Sequence, residues 1–206
     1  VLIPRPDTEI MVEETLKLAS NAEEKIILID AGTGSGCIPI SILKNLSLTK
    51  NIECLAVDIS NKALKVAQKN AKFHNVKIKF LHGNLLKLIL KKYFQIFAPQ
   101  SLTIITANLP YLNKEQMFEP TIKYEPKTAL YGGKNNGLEI YQKLFKQIKE
   151  VLNSKTSLSL LIEIDPSQSN EIIKIINNAF INNSIKATEI IKDLCGNDRV
   201  VKIIFN

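Results

Sequence analysis

The sequence predicts a single α/β domain on a doubly wound, mostly parallel seven-stranded sheet with one antiparallel strand near its end. Three observations carry that expectation. Short apolar runs alternate with segments of helical periodicity over 206 residues, a length that suits one domain. The first two runs close on acids, Asp30 and Asp58, and the first is followed at once by glycines. The last two runs are separated only by Cys195-Gly196-Asn197-Asp198, too short for a crossover helix, so they must pair antiparallel.

The elements follow in order. Ile3 already reads as strand-like, and a chain beginning at Val1 is expected to start inside a longer protein. Lys25–Asp30 is a buried parallel strand by its unbroken apolar character. After Gly32–Gly36, Cys37–Leu46 is helical, with Pro39 in the first turn, where its missing N–H does no harm. Ile52–Val57 is the second strand, and Ser60 or Asn61 caps a helix reaching Phe73. Val76–Leu81 and Leu102–Ala107 are strands. Tyr111–Asn136, with Pro120, Pro126 and a Gly/Asn-rich end, is a long loop. Gly137–Leu152 is an amphipathic helix, Leu158–Ile164 a strand, Ser167–Phe180 a helix, and Ala187–Leu194 and Arg199–Phe205 the final hairpin.

Composition narrows the function. Cys37, Cys54 and Cys195 show no CxxC spacing, and His74 and His82 are the only histidines, so neither a disulfide framework nor a metal site is expected. Free thiols fit a cytoplasmic protein. No apolar run is long enough for a membrane span. The net charge of +7 invites a nucleic-acid reading, but Arg5 and Arg199 are the only arginines among 27 basic residues. Lys62, Lys65, Lys69 and Lys72 recur at helical spacing, the pattern of a solvated face. Nucleic acid is therefore a disfavoured partner that stays open.

Gly32-Thr33-Gly34-Ser35-Gly36 lies between a strand and a helix, at the carboxyl edge where open parallel sheets bind ligands. No Gly-Lys-Ser/Thr follows, so it is not a P-loop, and GxGxG departs from the dinucleotide spacing GxGxxG. Asp58, closing the next strand, is placed to accept both hydroxyls of a ribose. A nucleoside without pyrophosphate, such as S-adenosylmethionine, fits this set best.

Asn108-Leu109-Pro110-Tyr111 follows the fourth strand at the same edge. A planar NH2 group is a poor nucleophile because its lone pair is delocalised. The Asn108 side-chain oxygen and the carbonyl of Leu109 can accept its two hydrogens and steer the nitrogen toward tetrahedral geometry. Tyr111 can stack on a flat substrate. Alone, Asn-x-Pro is also ordinary turn vocabulary; beside the glycine loop the functional reading dominates.

Taken together, the chain resembles the protein-(glutamine-N5) methyltransferases of peptide-chain release factors, the HemK/PrmC family. The resemblance rests on Leu2-Ile3-Pro4-Arg5-Pro6-Asp7-Thr8-Glu9, Gly32–Gly36, Asp58, Asn108–Tyr111, Tyr124-Glu125-Pro126 with Ala129-Leu130, Gly133, Gly137-Leu138, and Asp193-Leu194 with Gly196 and Arg199-Val200. It implies a Rossmann-like class I methyltransferase fold, S-adenosylmethionine as cofactor and release factors as protein substrates. By the same resemblance Gly32, Thr33, Gly34, Ser35 and Gly36 line the methionyl part and Asp58 the ribose. Asn84 and Leu85 lie beside the adenine. Asn108 touches cofactor and glutamine amide, Leu109, Pro110 and Tyr111 complete the substrate motif, and Arg5 and Thr8 help close the site.

Three departures from the family pattern stand out. Leu109 replaces the usual proline, Asn84 replaces a frequent acid, and the family's helical N-terminal domain has no counterpart in residues 1–206. The first predicts retained activity with a less rigid loop, and the third weaker substrate binding. The rivals are an adenine-N6 methyltransferase of RNA or DNA, a ribosomal-protein glutamine methyltransferase and a non-catalytic binding module. The opening PRPDTE and the Tyr124–Leu138 stretch favour the release-factor reading.

Overall fold

The computed structural model describes all residues except 48–49, 98–99, 153–156, 183–184 and 206. In chain order its elements are α1 (Glu9–Asn21), β1 (Lys25–Ala31), α2 (Cys37–Asn45), β2 (Ile52–Asp58), α3 (Asn61–Phe73), β3 (Lys79–His82), α4 (Lys87–Lys92), β4 (Ser101–Ala107), α5 (Glu139–Lys149), β5 (Ser157–Glu163), α6 (Ser169–Ala179), β6 (Ile185–Lys192) and β7 (Asp198–Phe205). The seven strands form one sheet in the order β3-β2-β1-β4-β5-β7-β6, and only β7 runs against the rest.

Alternation along β1 explains why its sequence is apolar from Ile26 to Ile29. Ile26 and Leu28 face one layer with Met11, Ile38 and Ile42 of α1 and α2. Ile27 and Ile29 face the other, with Ile89, Tyr141, Phe145 and Ile172 of α4, α5 and α6. A strand covered on both faces has no solvent side to encode.

Several boundaries differ from expectation for local reasons. Ile3 is not in a strand; it is exposed coil ahead of a 3-10 turn at Pro6–Thr8 and of α1, whose burial of Met11, Thr15 and Ala19 reveals the helix. β3 begins at Lys79 rather than Val76, its pairing with β2 starting at Leu55 and Lys79. α5 begins at Glu139, since Gly137 holds a φ of +82° that a helix does not allow. Residues 193–194 do not extend β6. Asp193 instead caps a turn by accepting the N–H groups of Cys195 and Asn197, both at 2.9 Å, and Leu194 is left fully exposed. The short helix α4 and the 3-10 turns within residues 116–129 lie where the sequence lacks periodicity. Among the described residues, no helix is long and apolar enough to cross a membrane.

Candidate active site

The order of strands reverses between β1 and β4, and the crevice outside the carboxyl ends of such a pair is where a doubly wound sheet takes its ligand. The glycine loop leaves β1 there and Asn108 leaves β4. Two differently built half-sites result.

The first is made mainly of backbone. Gly32 and Thr33 both donate their N–H to Val57 O, at 2.8 and 3.0 Å, folding the loop over the end of β2. Gly34 N–H donates to Asp58 Oδ2 at 2.8 Å, and Ser60 N–H to Asp58 Oδ1 at 2.7 Å. Each carboxylate oxygen thus spends one lone pair on the backbone and keeps a second for a hydroxyl. The three glycines do unequal work. A Cβ on Gly32 would come within 2.7 Å of Leu109 Cδ2, and one on Gly36 within 3.1 Å of Ala67 Cβ. Around Gly34 nothing lies nearer than 4.0 Å. Gly32 and Gly36 allow close packing, whereas Gly34 leaves open room for a ligand.

Beneath the loop, Asp30 is buried and accepts from Thr106 Oγ1 at 2.7 Å. Burial pushes its carboxyl up to about 6, against the lowering pull of Thr33 and Thr106 and with a smaller push from Asp58. The Thr33 hydroxyl is close enough to exert that pull without closing a well-formed hydrogen bond. On the far side of Asp58, Gly83 N–H donates to Asp58 O at 3.0 Å, which brings the turn after β3 alongside. There Asn84 is exposed and Leu85 is held at a φ of +53°, a strained conformation for a non-glycine residue.

The second half-site is a cross-linked set of side chains around Glu163, at the end of β5 and only 2% exposed. Its Oε2 accepts from Thr8 Oγ1 at 2.7 Å and from Asn108 Nδ2 at 2.8 Å, and its Oε1 accepts from Tyr111 OH at 3.2 Å. Asn108 Nδ2 also donates to Thr8 Oγ1 at 3.2 Å. Burial raises the Glu163 carboxyl, opposed by the Thr8 and Tyr111 hydroxyls and by Arg199 nearby. Burial, reinforced by Glu163, also pushes the Tyr111 and Tyr141 hydroxyls well up, so both are donors at neutral pH.

Leu109 is buried against Gly32, and its N–H donates to Tyr141 OH at 3.3 Å while that hydroxyl donates to the Glu163 carbonyl. A proline at 109 has no N–H to give, so this departure adds a tie instead of loosening the turn. Gln168 Nε2 donates to the carbonyls of Tyr111 and Asn136, at 2.8 and 2.6 Å, pinning both ends of the long loop. At Gly137 a Cβ would collide with Tyr111 O at 1.9 Å.

The N-terminal segment is strapped over this half. Arg5 pairs with Glu125 of the long loop, and Arg199 pairs with Asp7 and Asp193, each at 3.2 Å. Thr8 therefore enters the site directly, whereas Arg5 acts by holding the strap.

Residues 22–201 match the family model described as a methyltransferase domain. The chain is 36% identical over 211 residues to the release factor glutamine methyltransferase of Flavobacterium psychrophilum, covering 99% of this chain and 68% of the relative. It is 35% identical over 203 residues to the Enterococcus faecalis protein of the same name, covering 97% and 66% respectively. The chain belongs to the release factor glutamine methyltransferase family. It spans about two thirds of the length of these relatives. The fold agrees with that of a release factor-specific protein-(glutamine-N5) methyltransferase from Alicyclobacillus acidocaldarius, with a TM-score of 0.59, 22% identity, and 99% and 94% of the two chains covered.

Within this methyltransferase, the edge gathers Gly32–Gly36, Asp58, Asn84, Leu85, Asn108–Tyr111 and Thr8 along neighbouring strand ends. Three residues of the site were not singled out from the sequence: Glu163, Asp30 and Tyr141. The signal for the two acids was visible, since each is a lone carboxylate in an apolar strand. Tyr141 gives none, being one more apolar-face residue of an amphipathic helix.

Proposed function

We propose that the protein transfers a methyl group from S-adenosylmethionine to the side-chain N5 of the glutamine in the Gly-Gly-Gln motif of peptide-chain release factors, in the cytoplasm, and that residues 1–206 form its catalytic domain. The observation that carries the reading is Asn108 at the switch point, its amide nitrogen bound to protein and its oxygen without a hydrogen-bond partner among the described residues, in a chain of this family.

The residues present suit the cofactor. Gly34 leaves room at the loop, Asp58 keeps acceptor capacity on both oxygens, and Leu85 and Asn84 border it from the third strand. In this reading Gly32–Gly36 hold the methionyl part, Asp58 the ribose, and Asn84 and Leu85 the adenine. S-adenosylmethionine supplies an electrophilic methyl on a sulfonium that leaves as a neutral thioether. Asn108 Oδ1 and the Leu109 carbonyl accept the two hydrogens of the glutamine amide, drawing its lone pair out of conjugation and aiming it at that methyl. Once the N–C bond has formed and the S–C bond has broken, one of the two hydrogens leaves the nitrogen as a proton to solvent. Pro110 biases Leu109 toward the extended backbone that presents its carbonyl. Tyr111 flanks the amide plane. Arg5 and Thr8 close the site from the N-terminal strap. Orientation and fixed dipoles account for the acceleration, because the leaving group is already activated.

The test offers labelled S-adenosylmethionine with a release factor and with ribosomal RNA side by side. Label on the release factor, lost when the Gly-Gly-Gln glutamine is replaced by alanine, is the expected result; label on RNA adenine alone overturns it.

A further inference from the structure

Asn108 is useful to an NH2 substrate only one way round. Its amide oxygen must face the substrate; turned by half a rotation, it would present a second NH2 to the first and repel it. Nothing in the shape of the Asn108 side chain selects between the two orientations, because oxygen and nitrogen have nearly the same size. The selection has to come from what lies behind the amide.

We propose that Glu163 is the positioning residue that sets the orientation of Asn108, with Thr8 as its relay. This rests on the release-factor reading only for the identity of the amide that is presented to Asn108 Oδ1. Glu163 Oε2 already receives the Thr8 hydroxyl at 2.7 Å and Oε1 the Tyr111 hydroxyl at 3.2 Å. The carboxyl is thus an acceptor on both oxygens, and the group of Asn108 facing Oε2 at 2.8 Å is the nitrogen. The second Nδ2 hydrogen goes to Thr8 Oγ1 at 3.2 Å. A hydroxyl could in principle turn and donate instead. Here its one proton is committed to the same Glu163 oxygen at 2.7 Å, so toward Asn108 it acts as an acceptor. Both hydrogens of the amide are thereby consumed inside the protein, and Oδ1 is the group that remains.

The arrangement is also protected from rearrangement. Glu163 is 2% exposed, so water does not compete for its lone pairs. Its second oxygen is held by Tyr111 OH, and its backbone carbonyl by Tyr141 OH, which in turn receives the N–H of Leu109. The side chain that orients Asn108 Oδ1 and the main chain that carries the Leu109 carbonyl are therefore fixed to the same residue. Both acceptors for the substrate NH2 share one mechanical ground. Thr8 brings the N-terminal strap into the same arrangement, which gives a reason for a threonine in the opening Pro-Arg-Pro-Asp-Thr segment beyond closing the site.

The decisive variants are Glu163→Met, which keeps the volume and removes both acceptors, and Glu163→Asp, which keeps a carboxylate one methylene shorter. Each is compared with wild type in three readouts: kcat for methyl transfer to the release factor, cofactor Kd, and the Asn108 side-chain NH2 resonances, assigned as the pair lost in Asn108→Asp. Glu163→Met is expected to lower kcat by about 100-fold, the scale of a misoriented reacting pair, with cofactor Kd unchanged. Its Asn108 NH2 hydrogens should lose their downfield shift and exchange rapidly with water, and Glu163→Asp should recover part of both effects. Wild-type kcat and unchanged NH2 resonances in Glu163→Met overturn the proposal. So does a parallel collapse of kcat and cofactor affinity that Glu163→Asp does not relieve, which marks a structural prop. The resonance readout needs no substrate. If wild type fails to methylate glutamine, the substrate reading falls, while the shifted or unshifted amide still decides the orientation.

Discussion

The two halves of the crevice are built on opposite plans. On the β1–β2–β3 side the ligand edge is a short continuous segment, Gly32–Gly36, fastened to the Val57 carbonyl and the Asp58 carboxylate by backbone N–H groups. On the β4–β5 side it is a set of side chains from residues 8, 108, 111 and 163 that meet over one buried carboxylate. Backbone donors tolerate many neighbouring side chains, which suits holding a ligand of fixed chemistry. Cross-linked side chains hold one group in one orientation, which suits presenting an acceptor to a reacting nitrogen. On the proposed function, the difference makes binding and positioning separable, although the halves touch where Leu109 packs on Gly32.

Substitutions on either side should break the comparison in different currencies. The largest effect is expected from Asn108→Ala, with turnover down about 100- to 1000-fold and cofactor affinity within a few-fold of wild type. Rapid-quench kinetics together with calorimetric titration check this, and an equal loss in both would merge the halves.

Next in size is the acid under the glycine loop. The Asp30 carboxyl rises from 3.8 to about 6 on folding, so the fold favours its neutral form. The penalty is absent below the unfolded value, grows as pH rises between the two, and is complete above the folded one, at about 3 kcal/mol. Asp30→Asn should therefore gain stability on wild type as pH rises through that window and hold the gain above it. Urea denaturation of the ligand-free proteins at pH 4, 5, 6 and 7 reads it out; a difference independent of pH would refute the linkage.

For Asp58→Asn the expectation is the mirror image of Asn108→Ala. Cofactor Kd should weaken about 10- to 100-fold, the worth of charge-assisted hydrogen bonds to a ribose, while turnover at saturating cofactor stays near wild type. The smallest effect tests the contact between the halves. Gly32→Ala should lose about 1–2 kcal/mol for its left-handed φ, plus a steric share from Leu109. Adding Leu109→Ala should remove that steric share, so thermal unfolding of the double variant falls short of additivity.

The contrast also explains what the sequence disclosed. The backbone-built half was legible because its parts are contiguous: a strand, a glycine loop, a helix start, and an acid one strand later. The mostly parallel, doubly wound sheet followed from alternation, and the antiparallel pairing of the last two strands from the short Gly196–Asp198 connection; the order of the strands across the sheet did not. The side-chain half was only partly legible. Asn108–Tyr111 stood out as a motif, but Glu163 lies 55 residues from Asn108 and 155 from Thr8, and only folding brings them together. Helix α1 is hidden in the sequence because Pro4 and Pro6 mask its start, and β6 ends two residues before Leu194 because Asp193, not the apolar run, decides where the turn begins.

The most direct test of the central claim maps the methyl group itself. A release factor incubated with the protein and S-adenosylmethionine is digested and its Gly-Gly-Gln peptide fragmented by mass spectrometry. A single added methyl on the glutamine side chain, absent when Asn108→Ala replaces wild type, is the result this account predicts. A methyl on any other residue, or the same yield from Asn108→Ala, would contradict it.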